Sequence, residues 1–395
     1  MTAHTQSTRP TTSRRRFFRM AADQAFRAGR LPYDRALQES NQAASKSTRF
    51  MGRVAYDGTS FVGWQTQPNG RGIQDLLEER LSTLLGGRVY VAGSGRTDKG
   101  VHARDQVFHF EYPQREDGKS DGESKVRHVQ LAAAIKASDD TAVASVLQNV
   151  LTGPRSDLPA DIQVRSIAVA PPGFHSRDSC IGKRYVYTVE EGIGSPFTSR
   201  YRWVLGRGKT LDVAKMSAAA KLLAGVHDFS TFGVRDADDP RPPVKQMRRL
   251  EVRRVYPRDP LSEAARTDVR PGASSVNADA ELTTVDEGSC AGDGGVVTIC
   301  AECDRFLYNM MRMLSGTLVQ VGLGKLSLED VANLLHARGR KGQGASVVFK
   351  APPQGLCLET CFLDFEHGQE WMADAALAGG EQAPPDESVH AVTTD

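Results

Sequence analysis

Apolar positions along the chain recur with two different periods, and the period changes back and forth. Between residues 73 and 84, Ile73, Leu76, Leu77, Leu81 and Leu84 return at steps of three and four, which marks one face of a helix. Residues 53–56, 89–92 and 106–110 are short apolar or alternating runs and predict strands. Helices are expected over the Ala-rich 129–137 and over 143–151, and strands over 161–164 and 184–189. The second half repeats the theme. It predicts an amphipathic helix over 211–223, strands over 250–252 and 296–299, and a long apolar helix over 306–321. A shorter helix over 328–336 and a closing strand over 356–365 follow. Strands and helices intermix in both halves, so the expected class is α+β.

The intervening stretches lack either period. Residues 115–125 are rich in acid and glycine and read as a loop. Residues 259–295 are polar, acidic and rich in Gly, Ser and Ala, which reads as a disordered insertion between two strands. The expected organisation is an outlying segment at 1–47, an N-terminal half at 48–200, a C-terminal half at 201–368 that carries the insertion, and a flexible tail at 369–395.

One turn carries candidate chemistry. Gly95-Arg96-Thr97-Asp98-Lys99-Gly100 lies between the strands expected at 89–92 and 106–110. A loop held by two strands presents a single acid at a fixed place, as a covalent or acid–base catalyst requires. By spacing alone, Asp98 serves equally as a turn former and Arg96 as a surface charge.

The segment 95–103 resembles the active-site motif of the TruA family, pseudouridine synthases that modify transfer RNA. Further motifs follow in that family's order. Residues 56–65 (Tyr-Asp-Gly-Thr-Ser-Phe-Val-Gly-Trp-Gln) look like its first strand and turn. Phe174-His175-Ser176-Arg177, followed by Gly182-Lys183-Arg184-Tyr185-Val186-Tyr187, looks like its second motif. Residues 310–316 and 355–358 look like its third and fourth. Together they span about residues 50 to 365, most of the chain.

The resemblance implies two ferredoxin-like halves whose antiparallel sheets join around a central RNA-binding cleft. It implies an isomerase that cuts the glycosidic bond of uridine, turns the base and rejoins C5 to the ribose. No redox step or phosphoryl transfer occurs, so neither cofactor nor metal is expected. Asp98 would be the catalytic carboxylate. Arg96 would bind a phosphate or fill the gap left by a base flipped out of the helix. Tyr185 would stack on the uracil and offer its hydroxyl, and Lys183 of the same motif would contact the substrate. Arg312, a charge on an apolar helix, would pair with Asp98. Leu356 would form an apolar wall against the base. His102 would touch the RNA backbone, although a structural histidine fits its position equally well. The implied partners are tRNA, bound at its anticodon stem-loop, and a second copy of the chain. Lys99 departs from the small residue of many bacterial members and leaves the modified uridines open.

Two rivals fit less well. A phosphoaspartate enzyme would need a second Asp where Gly100 stands. A non-catalytic tRNA-binding or RNA-folding protein would not require Asp98, Tyr185 and Arg312 together.

Composition narrows the picture little. With 395 residues the chain has room for two or three domains, and 39% hydrophobic and 25% charged residues are ordinary. A formal charge of +2 means that RNA binding must rest on local clusters. The candidates are Lys183-Arg184, the run from Arg241 through Lys245 to Arg248-Arg249, and Arg338, Arg340 and Lys341. Each would serve as well as a solvated face. Six cysteines in a chain this long are no disulfide framework, and the lone Cys300-x-x-Cys303 fits strand packing better than a metal. No apolar run is long enough to cross a membrane. The first 22 residues contain no acid but hold Arg9, Arg14, Arg15, Arg16 and Arg19. That is the composition of a mitochondrial or chloroplast transit peptide, or of a basic tail touching RNA in an otherwise cytoplasmic protein.

Overall fold

The computed structural model describes residues 47–67, 70–113, 128–153, 156–234, 242–255, 295–337 and 348–368. The outlying segment at 1–46, the loop at 115–125, the insertion at 259–294, Arg241, the cluster at 338–341 and the tail at 369–395 lie outside these residues. The chain divides into two compact units, Met1–Asp178 and Ser179–Asp395.

In the first unit, β1 (Ser47–Tyr56) pairs antiparallel with β3 (His102–Pro113) on one side and with β4 (Ile162–Val169) on the other. The short β2 (Val91–Gly93) pairs antiparallel with β3. Phe50 opposes Phe110 in the register, and their rings stack at 5.4 Å. Helix α1 (Ile73–Leu85) buries all five apolar positions that defined its period. The Asp75 carboxylate holds its first turn by accepting the Gly72 N–H at 2.7 Å. Helices α2 (Val129–Lys136) and α3 (Asp140–Thr152) follow, and α3 packs on β4. Phe50, Phe108, Phe110, Leu77, Leu81 and Leu147 are fully buried. Gly52 admits the Phe108 ring, which would stand 2.5 Å from a Cβ at that position.

In the second unit the strand order is β10-β5-β9-β8-β7. These strands are Leu356–Leu363, Cys180–Glu190, Val296–Cys303, Val244–Val255 and Gly225–Asp228. All neighbours in that order are antiparallel, and the two-residue β6 (Trp203–Val204) adds to β5 in parallel. Helices α4 (Val213–Leu223), α5 (Met310–Gly322) and α6 (Leu328–His336) complete the unit, with α4 packed against β8, α5 and α6.

The α+β class expected from the periodicities is what both units show. The long apolar helix starts at Met310 rather than 306, because Asn309 takes a left-handed φ of 62° and breaks the helical path there. The closing strand ends at Leu363. Strands β6 and β7 carry no alternation long enough to read. Cys300 and Cys303 stand three apart on β9, so they point to opposite faces of the strand. No described helix is long and apolar enough to cross a membrane.

Candidate active site

The turn between β2 and β3 is gripped on several sides. The Val101 N–H donates to the Asp98 carbonyl at 3.1 Å, and Gly100 takes a φ of 79°, which glycine adopts without strain. Thr97 is held twice: its carbonyl accepts the Trp64 N–H at 3.1 Å, and its hydroxyl lies 2.8 Å from that of Tyr56. Gln106, fully buried on β3, donates to the Gly95 carbonyl at 2.6 Å and accepts from the Ser94 hydroxyl at 2.8 Å. Two glycines let the 56–65 segment close on this turn. A Cβ on Gly63, whose φ is 110°, would stand 2.5 Å from the Thr97 carbonyl oxygen; one on Gly58 would stand 2.0 Å from that of Val101. The Asp98 carboxylate is half-buried on this fixed backbone, between exposed Arg96 and Lys99.

His102 belongs to the base of the same structure. Its ring is buried, and Nδ1 accepts the Gly58 N–H at 3.1 Å. The Asp57 carboxylate lies 3.1 Å from the same nitrogen and accepts the Thr59 N–H at 2.9 Å. Arg96 lines a cleft beside the turn together with Trp64, Gln65, Gln74 and Arg177. Arg177 was assigned no role from the sequence. The one signal was its place in the Phe174-His175-Ser176-Arg177 motif.

The second unit gathers the other candidates around β5, β10 and α5. Lys183 and Tyr185 share a face of β5, because side chains two apart in a strand point the same way. Tyr185 opposes Leu358 of β10 and Ala301 of β9. It is 8% exposed, and its ring meets that of Phe306 edge-on at 4.9 Å. Leu356 opposes Tyr187 and is buried. The guanidinium of Arg312 donates to the Ala351 carbonyl at 2.8 Å and to Asn309 Oδ1 at 3.2 Å. The Ala351 N–H in turn donates to the Arg312 carbonyl at 3.0 Å. Gly316 permits this contact, since a Cβ there would overlap the Phe349 carbonyl oxygen at 1.8 Å. The Tyr187 hydroxyl donates to the Pro352 carbonyl at 2.7 Å. Burial pushes its pKa well above the usual phenol range, and the nearby charge of Arg312 opposes this.

The basic clusters are partly tied up by acids. Arg184 donates to Glu302 at 2.8 Å, and Arg249 to Glu251 at 2.7 Å. Hydrogen bonding to Arg249 holds the Glu251 carboxyl below the ordinary carboxylate range. Lys245 is buried and donates to the Pro242 carbonyl at 2.5 Å.

A family model described as tRNA pseudouridine synthase matches residues 219–364. The tRNA pseudouridine synthase A of Geobacter sp. (strain M21) is 33% identical over 306 residues, which cover 77% of this chain and 94% of that protein. That of Solidesulfovibrio magneticus is 34% identical over 337 residues, 84% of this chain and 96% of the relative. That of Listeria welshimeri is 32% identical over 314 residues, 79% and 97% respectively.

The chain belongs to the tRNA pseudouridine synthase A family. It is therefore a pseudouridine synthase, an isomerase that converts uridine to pseudouridine. In this pseudouridine synthase Asp98, Arg96 and His102 belong to the first unit, and Lys183, Tyr185, Arg312 and Leu356 to the second. What the first unit supplies is a fixed backbone under an acid. The second holds buried Tyr185 and Leu356 and the Arg312 guanidinium tied to Ala351 and Asn309.

Proposed function

We propose that this pseudouridine synthase acts on tRNA at the anticodon stem-loop, flips the target uridine out of the helix, and uses Asp98 as the reacting carboxylate. The observation that carries this reading is the Asp98 turn. One half-buried acid stands on a backbone fixed by Trp64, Tyr56 and Gln106, and glycine is needed at 58 and 63 for that grip. Such rigidity serves chemistry at a fixed point better than it serves a solvent-facing turn. In the reaction the N1–C1′ bond breaks and a C5–C1′ bond forms. The C5 hydrogen leaves as a proton to water while N1 takes one up, and no electrons are exchanged. A base within a stacked helix is out of reach of any side chain, so extrusion must come first. Tyr185 stacks on the flipped uracil, Leu356 walls it, and Lys183 and Arg312 contact the substrate. Arg96 meets RNA at the edge of the turn, and His102 supports the turn beneath the RNA backbone. Two copies of the chain form the working enzyme, and the tRNA spans both.

The test is tritium release from tRNA transcripts labelled at C5 of uridine, with pseudouridines then mapped by position. Release from the anticodon stem-loop is expected. Tight binding with no release from any tRNA would leave only an RNA-binding protein on this scaffold. Release from other positions alone would discard the anticodon assignment. A fluorescent reporter fused to residues 1–47, which are acid-free through Ala22 and rich in arginine, is expected to enter an organelle, and diffuse cytosolic fluorescence would remove that expectation.

A further inference from the structure

The geometry points to Arg177 as a second RNA-phosphate ligand, which shares a cleft with Arg96 and is set there by a buried bond between Ser176 and His109. The inference rests on the proposed function, because it takes the anion to be a backbone phosphate next to the target uridine.

The first support is the cleft itself. Two guanidinium groups line one concave surface beside the Asp98 turn, together with Trp64, Gln65, Gln74 and Gly95. Arg177 is half-buried, and Arg96 is exposed. Two planar cations at one opening match a phosphate, whose oxygens accept paired N–H donors. Gly95 and Arg96 belong both to this lining and to the Asp98 turn, so an anion held there sits beside that turn.

The second support is how the chain before Arg177 is fixed. Ser176 is fully buried, and its hydroxyl lies 2.9 Å from both His109 Nδ1 on β3 and the Ala92 carbonyl on β2. The Ser176 N–H donates to the same His109 nitrogen at 3.2 Å. Nδ1 must therefore be an acceptor and the ring neutral. Burial, and then the charges of His175, Arg49 and Arg177, hold this imidazole far below the ordinary range, at about 2. Arg49 adds a tie by donating to the Phe174 carbonyl. The Phe174–Ser176 segment is thus fastened to the two strands that carry the Asp98 turn, and Arg177 is the next residue. Ser176 and His109 are buried, so they act as positioning residues.

The test uses the full chain and an unmodified tRNA transcript, with dissociation constants measured from 50 to 300 mM salt. Each phosphate contact contributes about 0.7–0.9 to the slope of log K against log salt. Arg177→Gln and Arg177→Ala are expected to lower that slope by about 1, with weaker binding at every salt. Arg177→Lys keeps a cation and is expected to restore the slope. Ser176→Ala is expected to lower the slope in the parent but to add nothing in the Arg177→Gln background. An unchanged slope overturns the proposal, whether or not affinity falls, because a base contact or a folding defect weakens binding without releasing counterions. A further slope loss from Ser176→Ala in the Arg177→Gln background overturns the positioning role. Tritium release by the parent protein is scored separately, so failure of the proposed function is seen apart from failure of this phosphate contact.

Discussion

The Asp98 turn and the Arg312 helix hold their key residues in opposite ways. At the turn the backbone is clamped and the Asp98 carboxylate stays half-exposed above it. On α5 the side chain itself is clamped, with the Arg312 guanidinium tied to the Ala351 carbonyl and to Asn309. A clamped backbone under a half-buried acid suits a group that must meet a substrate. A clamped side chain suits a group that must hold its neighbours still. The first arrangement depends on Gly58 and Gly63 together with the Tyr56 and Gln106 side chains, and the second on one guanidinium beside Gly316.

The sharpest way to break this contrast is at Gly63. Gly63→Ala places a Cβ 2.5 Å from the Thr97 carbonyl at a φ of 110°. That backbone strain costs roughly 1–3 kcal/mol, and a shift of the turn by about 1 Å costs on the order of 10²-fold in rate. Steady-state kinetics on tRNA should show kcat down about a hundredfold with a lowered Tm. Parental kcat would show that the turn's exact placement does not matter. Next comes Arg312→Ala, which removes charged hydrogen bonds worth about 1.5–3 kcal/mol each. Thermal unfolding and kcat should both fall, and Arg312→Lys should recover only part of the loss because a lysine lacks the planar fork. Equal rescue by lysine would mean that only charge counts there.

A pH titration probes the support under the turn. The unfolded chain's histidine takes up a proton near 6.5, whereas folded His109 does so only at about 2. Below 6.5 the unfolded state therefore binds more protons, and stability falls as pH falls. Each pH unit below 6.5 removes about 1.4 kcal/mol, so denaturant unfolding at pH 5 should show a loss on the order of 2 kcal/mol from this group. His109→Gln should flatten that part of the profile. An equally steep profile in the variant would place the acid sensitivity elsewhere. The smallest effect is expected for Tyr185→Phe, which keeps the ring and drops one hydroxyl. Single-turnover rates should fall by roughly tenfold, near the worth of a single hydrogen bond, with little change in affinity. Tyr185→Ala should weaken binding as well, by about 1–3 kcal/mol. If both turn over like the parent, Tyr185 is a core residue only.

Much of this was legible in the sequence, and the physical reason differs by region. Helix α1 was visible because its five apolar residues all face one core. The Asp98 turn was visible because Gly95 and Gly100 punctuate two strands. The sequence pattern hid what depends on a single dihedral or a distant contact. Asn309 shortens α5 through its left-handed φ, which no period records. Strand β7 exists through its pairing with β8 rather than through alternation of its own. Arg177 follows Ser176, whose bond to His109 spans 67 residues of chain that no local pattern records. The roles of Tyr185, Arg312 and Leu356 came only from family resemblance, since a tyrosine in a strand or a leucine beside it reads as core.

The most direct test of the central claim is single-turnover tritium release by Asp98→Asn at saturating tRNA, with the dissociation constant measured on the same preparation. The substitution keeps the shape of the side chain and removes its charge, while the turn's backbone contacts stay in place. Release should be abolished and affinity should stay within a few-fold of the parent. Substantial turnover by the purified variant would contradict the assignment of Asp98 as the reacting carboxylate.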